Sequence, residues 1–271
     1  MSHKNLVWWD GDLSFPNCNI YNWGDWLNPW LFSKISGTPI EDINRISLYD
    51  EEETPRYYMV GSILDFPCSS NYEVWGAGFG HYNGSVPKYT PTKIHSVRGP
   101  LTRKKLIQDS NQSVPEIYGD PALLLPRYYT PKVKKEYKYG IIQHFSHKNI
   151  NGWVSKYRNN PNVNVIDIQN RSITGFIDEV NKCETILSSA LHGIICGDAY
   201  GIPSYHINFD QDGKYNWFKF NDYYLSVGRP LTKPIHIDND SIDINDMFPP
   251  LYNYFIDIDL EKLLDVCPFK S

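Results

Sequence analysis

The sequence predicts an α/β protein with parallel sheets flanked by helices, and three observations carry that prediction. In the C-terminal half, short β-rich runs at 139–143, 163–168, 185–187 and 204–207 alternate with runs at 150–158, 172–182 and 190–200 that suit helices. Such alternation is the mark of a parallel sheet covered on both faces. Second, a charged, proline-containing stretch at 126–138 follows the apolar run 122–125 and reads as an interdomain linker. Third, 271 residues, against a prior of roughly 150 per domain, leave room for one large or two modest domains with an ample core.

Taken in order, 6–9 reads as a buried strand. The run 23–36 reads as a helix, with Trp23, Trp26, Leu27, Trp30 and Leu31 on one side. Runs 57–60 and 73–77 are strands closing on glycine, 93–97 is another, and 99–108 is a helix carrying Arg103, Lys104 and Lys105. Beyond the alternating half, Pro249-Pro250 sets off a short helix at 260–266 that can pack on either half. Ligands of such sheets bind beyond the carboxyl ends of the strands.

Composition narrows the function classes. Lys and Arg number 26 against 31 Asp and Glu, so the net charge of -5 offers no global footprint for nucleic acid. Aromatics reach 15 %, including 20 Tyr and 8 Trp, which suits core packing or sugar faces. No run approaches the ~20 apolar residues of a membrane span, and the first residues lack a signal peptide's apolar region. The five cysteines (18, 68, 183, 196 and 267) include no Cys-x-x-Cys, which fits free thiols in a reducing compartment. The expectation is a soluble cytoplasmic protein.

The most informative run is 186–203. A strand ends at Leu187, Ser188 and Ser189 can cap the next helix, and His192 falls in its first turn. The N–H groups and positive dipole end of such a helix favour an anion, so His192 can touch a phosphate or carboxylate and trade a proton. A packed histidine at a strand–helix junction is the plainer alternative, and the convergence with Gly193 and Gly197 favours function. Arg98 directly follows a strand, where a guanidinium can clamp an anion bidentately. Asn22-Trp-Gly-Asp25 opens the first long helix: Asp25 either faces a cleft as a base for a hydroxyl or simply complements the helix dipole. His144 stands at the expected ligand edge, and His144-x-x-His147 lacks the acidic or Cys partner of a metal site. Trp75-Gly-Ala-Gly-Phe-Gly80 lacks nucleotide-fingerprint spacing, and Asp120 in Gly119-Asp-Pro121 serves a turn or chemistry equally well. Asp10-Gly-Asp12 suggests a metal-dependent glycosyltransferase, but Asp-x-Asp recurs at 210/212, 238/240 and 257/259. Lys219-Phe-Asn-Asp-Tyr-Tyr224 sets a cation among aromatics, for a cleft rim or a surface loop.

These runs, with Gly61-Ser-Ile-Leu64, Val97-Arg-Gly-Pro-Leu-Thr-Arg-Lys104, Gly119-Asp-Pro-Ala-Leu-Leu-Leu-Pro126, Gly140-Ile-Ile-Gln-His144 and Ala199-Tyr-Gly-Ile-Pro203, appear in an order that resembles the polysaccharide pyruvyltransferase family. The resemblance spans about residues 20 to 228. It implies two Rossmann-like domains facing a central, GT-B-like cleft: 1–130 on the acceptor side, contributing Arg98, and 131–250 on the donor side, contributing His192, with 251–271 packing back. It further implies transfer of a pyruvate ketal from phosphoenolpyruvate to two hydroxyls of a hexose in a bacterial capsule, exopolysaccharide or cell-wall glycan. Phosphate is released, with no cofactor and no metal. Arg98 and His192 are expected to hold the donor, with His192 as acid and Asp25 as acceptor-side base. Some relatives carry Arg two residues before this histidine where this chain has Ala190, so His144, Lys219 or the backbone N–H groups of 188–191 are expected to compensate. Ser188 and Ser189 join that donor set, while Asn22, Trp23 and Tyr223 are expected on the acceptor side. A lipid-diphosphate-linked acceptor would bring the protein to the inner membrane face. The competing expectations are a nucleotide-sugar glycosyltransferase and a carbohydrate-binding protein without catalysis.

Overall fold

The structure, a computed structural model, describes residues 4–9, 11, 21–46, 55–66, 71–81, 89–110, 112–148, 152–209, 217–237, 242–246 and 254–271. Asp10, Asp12, Cys18, Cys68, the Asp-x-Asp pairs at 210/212 and 238/240, and Pro249-Pro250 lie outside the described residues.

Two five-stranded sheets form among the described residues. The first contains β1 (Lys4–Val7), β2 (Ile43–Ile46), β3 (Arg56–Tyr58), β4 (Tyr72–Trp75) and β5 (Lys93–Ser96), in the order β2-β1-β3-β4-β5. The second contains β6 (Tyr137–Gln143), β7 (Val163–Asp167), β8 (Cys183–Ser188), β9 (Ser204–Asn208) and β10 (Ile235–His236), in the order β10-β9-β8-β6-β7. Every pairing in both is parallel. Taken from its other edge, the second sheet winds as the first does: the chain's second strand, then its first, third, fourth and fifth. This is a doubly wound, Rossmann-like order, and each sheet has its switch point beside its first strand, between β1 and β3 or between β6 and β8.

The helices are α1 (Trp23–Ser36), α2 (Pro100–Ser110), α3 (Leu125–Tyr128), α4 (Ile173–Asn181), α5 (Leu191–Ala199), α6 (Trp217–Ser226) and α7 (Leu260–Asp265). Helix α1 has the expected bounds, and local chemistry sets both. Asn22 caps it by accepting from Gly24 N, and Gly37 ends it in the left-handed conformation at φ 69°. Pro29 removes one donor inside the helix, and the Asp25 carbonyl accepts from Asn28 Nδ2 instead, at 2.8 Å. The same buried amide bonds both the N–H and the C=O of Val60, which fastens α1 to the segment after β3.

The two halves share a continuous core. Trp23 stacks on Phe176 of α4 at 4.3 Å, and its backbone N–H donates to Ile168 O beyond β7. The C-terminal segment settles on the first half. Trp75 Nε1 donates to Leu263 O, and Phe269 lies against Phe32 and Trp75.

Several local expectations are corrected. The expected helix at 150–158 is, within the described residues, turns and a 3₁₀ segment at Ser155–Tyr157. Its aromatics are spent on packing and on the chain near 242–244: Trp153 Nε1 donates to Ile242 O, and Tyr157 OH accepts from Ile244 N. The stretch 126–138 is not all linker, because α3 runs into it and β6 starts inside it. Strands β2 and β10 and helix α6 were not anticipated. Phe218, Phe220, Asp222, Tyr223 and Tyr224 of α6 are all buried, so tertiary packing rather than a one-sided apolar stripe holds it. No helix of the described residues is long and apolar enough to cross a membrane.

Candidate active site

Both switch points open on one cleft. Trp9 follows β1 and Ser62 and Ile63 follow β3, while His144 and Phe145 follow β6 and Ala190, Leu191 and His192 follow β8. Together with Asn22, Asp25, Asp65, Phe66, Gly80, His81 and Lys219 they enclose a cavity of about 280 Å³. The aromatics after the first strand of each sheet meet across it, Trp9 stacking on Phe145 at 5.3 Å and 18°.

Asp25 sits in the first turn of α1, 8 % exposed, as the Asn22 cap dictates. Burial raises its carboxyl from the ordinary 3.8 to about 6, against the pull of His192 and Lys219. Lys219, from α6, is lowered by burial and by Arg98 to about 8, with Asp25 pulling the other way. The wall therefore pairs a cation that stays charged near neutrality with a carboxyl poised to exchange its proton. His144 is held neutral, well below its ordinary value, by burial and by Lys219 and His147. Asp65 accepts from Gly80 N at 2.6 Å, and burial raises its carboxyl too.

His192 is positioned by three elements. The start of α5 carries it, and α1 lies so close that a Cβ on Gly24 would stand 2.0 Å from His192 Nδ1. On its other edge, Nε2 faces Asp120 Oδ2 at 3.6 Å.

Of the residues expected from the sequence, Asn22, Asp25, His144, His192 and Lys219 come together, alongside Ala190. Ser188 and Ser189 do not cap α5, whose N-cap is Ala190. Ser188 Oγ accepts from Ala190 N and donates to Ala190 O, closing the turn after β8. Ser189 Oγ accepts from His144 N at 2.9 Å and meets His147 Nδ1, fixing the turn after β6. The N–H groups of Ser189 and Ala190 are spent on Ile142 O and Ser188 Oγ, which withdraws both from the expected donor set.

Arg98 is not on the cavity wall. Its side chain is 1 % exposed and its three nitrogens are engaged: Nε with Asp222, Nη1 with Ser62 Oγ and Nη2 with Phe79 O. Asp222 also accepts from Thr102 N and Thr102 Oγ1 at the start of α2. A Cβ on Gly99 would lie 2.0 Å from Asp222 O, so the Arg98-Gly99-Pro100-Leu101-Thr102 run is shaped to receive α6. Arg98 therefore reaches the cleft only through Ser62 and through the helix that carries Lys219. Trp23 and Tyr223 are likewise core residues, Tyr223 donating to buried Asp198, so neither offers a face to a sugar.

Trp9, Ser62, Asp65, Phe66 and Phe145 were not singled out from the sequence. Applying the carboxyl-end rule to β1 and β3 as well as to β6 and β8 finds Trp9, Ser62 and Phe145.

Residues 71–211 match the sequence profile of the family described as polysaccharide pyruvyl transferase. The chain is 27 % identical over 194 residues to uncharacterized protein L143 of Acanthamoeba polyphaga mimivirus, covering 70 % of this chain and 64 % of that one. It is 28 % identical over 227 residues to succinoglycan biosynthesis protein ExoV of Rhizobium meliloti, covering 79 % and 65 %. The chain thus spans slightly under two thirds of the length of these curated relatives. A crystal structure of protein KP1_0663 from Klebsiella pneumoniae aligns at 12 % identity over 87 % of this chain and 93 % of that one, with a TM-score of 0.45.

Proposed function

The chain belongs to the polysaccharide pyruvyl transferase family, and from that premise we propose that it transfers the pyruvyl group of phosphoenolpyruvate onto two hydroxyls of a glycan sugar as a ketal. One observation carries the reading. A single cleft at the switch points of both sheets gathers a half-buried cation, a helix-borne histidine and a carboxyl raised to about 6.

Phosphoenolpyruvate presents a phosphate and a carboxylate. Lys219 and the positive end of α5 hold those anions, and neutral His144 adds a hydrogen bond. His192 delivers a proton to the methylene carbon, by way of the phosphate, which makes C2 electrophilic. A sugar hydroxyl attacks C2 and gives its proton to Asp25. The C2–O bond to phosphate then breaks, inorganic phosphate departs with the bonding electrons, and a second hydroxyl closes the ketal as it returns a proton to His192. One phosphoenolpyruvate and one diol thus become one methyl-bearing ketal and one phosphate. A carboxyl raised to about 6 is ionised near neutral pH yet basic enough to accept a proton. Trp9, Phe66 and Phe145 supply apolar wall for the sugar ring.

The test is release of phosphate from phosphoenolpyruvate that depends on added glycan, with the ketal methyl detected by proton NMR. His192→Ala and Lys219→Ala should each lower turnover by orders of magnitude. Wild-type turnover in both folded variants would sink the assignment, and glycan-dependent release of a nucleoside diphosphate would replace it with glycosyl transfer.

A further inference from the structure

Asp120 is fully buried between Gly119 and Pro121, and one of its oxygens is already committed. Oδ1 accepts from Ala122 N at 3.0 Å and caps the 3₁₀ turn Pro121–Leu124. That bond aims the other oxygen. Oδ2 is buried with no hydrogen-bond partner, and so is His192 Nε2, which stands 3.6 Å away. Buried polar groups are seldom left unpaired, because desolvation without a bond is costly. Here the two unpaired atoms face one another, a few tenths of an ångström beyond bonding range, the looseness that catalytic pairs show before substrate arrives.

The opposite edge of the ring is shaped differently. His192 Nδ1 lies in the space that a side chain on residue 24 would fill, so only a glycine there admits the ring in this orientation. A carboxylate can only accept, so the proton it selects must sit on Nε2.

We propose that Asp120 is a positioning residue for His192: its Oδ2 accepts the Nε2 proton, and the proton exchanged with the donor is carried on Nδ1. The inference rests on the assignment of His192 as the proton donor. Asp120 fixes the ring's tautomer and orientation and stabilises the imidazolium that precedes each transfer.

The experiment is long-range ¹H–¹⁵N correlation NMR on protein labelled with ¹⁵N-histidine, at about pH 8 where an ordinary imidazole is neutral. His192 is assigned by the signals lost in His192→Gln. Wild type should show the proton on Nε2. Asp120→Asn keeps an oxygen for Ala122 N but offers an NH₂ to Nε2, so the proton should move to Nδ1. That variant should also lose about 10²–10⁴-fold in kcat, as other histidines do when a carboxylate partner becomes an amide. KM for phosphoenolpyruvate should stay within about threefold, because binding groups are untouched. A wild-type Nδ1–H tautomer, or no change of tautomer in Asp120→Asn, overturns the proposal, and the wild-type spectrum decides even if the variant fails to fold. If the tautomer switches but wild type never turns over phosphoenolpyruvate, the pairing stands and the proposed function falls.

Discussion

Replacing Asp222 with alanine tests how the cleft is held together, since this carboxylate of α6 sits inside the other half of the molecule. It is wholly buried against an Arg98 side chain that is 1 % exposed, and it accepts from Arg98 Nε at 3.1 Å, Thr102 N at 2.8 Å and Thr102 Oγ1 at 2.7 Å. Asp222→Ala strands a buried guanidinium and removes the acceptor from two further donors. Breaking a buried pair from one side costs about 3–5 kcal/mol, because the remaining charge stays desolvated. At 2–4 °C per kcal/mol for a chain of roughly this size, the melting temperature should fall by about 6–20 °C. Urea unfolding gives the free energy directly, and Arg98→Met with Asp222→Ala completes a double-mutant cycle. The pair of changes should cost less than their sum by roughly 2 kcal/mol or more, since the second removes the charge the first left stranded. Single variants each costing under about 1 kcal/mol, and adding without coupling, would refute the buried clamp.

Other predictions follow from the wall of the cleft. The pH profile of kcat/KM should be bell-shaped: activity falls below about 6 as Asp25 takes a proton and above about 8 as Lys219 loses one, and a flat profile across both limbs would exclude them. Asp25 also carries a stability signature of defined sign. Its folded pKa of about 6 lies above the ordinary 3.8, so its contribution is fully present below 3.8 and lost as pH rises through 6. At about 1.36 kcal/mol per pH unit that loss is ~3 kcal/mol, so Asp25→Asn should gain stability over wild type between pH 4 and 6 in denaturant unfolding while losing turnover. A gain that shrinks with rising pH would contradict the assignment. Gly24→Ala should lower both melting temperature and turnover although alanine favours helices, because its Cβ would stand 2.0 Å from His192 Nδ1. Unchanged turnover in that variant would mean His192 is free to move away.

Features written in neighbouring residues were legible in the sequence. Asn22-Trp-Gly-Asp25 marks the opening of α1, and the strand–serine–histidine run marks the ligand edge of β8. The paired doubly wound sheets follow from the alternation of apolar runs together with the ordered motifs. What stayed hidden depends on partners distant in the chain. Arg98 looked like an anion clamp because nothing near it shows that Asp222, 124 residues on, already neutralises it. Lys219 looked ambiguous because α6 is apolar on most sides and carries no helical stripe. Asp120 reads equally as a turn residue or a chemical one from the sequence; it caps the turn, and only the fold turns its second oxygen toward His192. Trp23 and Tyr223 suggested sugar contacts by type alone, and burial assigns them to packing.

The central claim is that this cleft binds phosphoenolpyruvate through Lys219, and thermal unfolding with added ligand tests it most directly. A ligand that binds only the native state must raise the melting temperature. Phosphoenolpyruvate should raise it in wild type and leave folded Lys219→Ala unmoved, while UDP and GDP should have no effect on either. A rise with UDP or GDP and none with phosphoenolpyruvate would contradict the account.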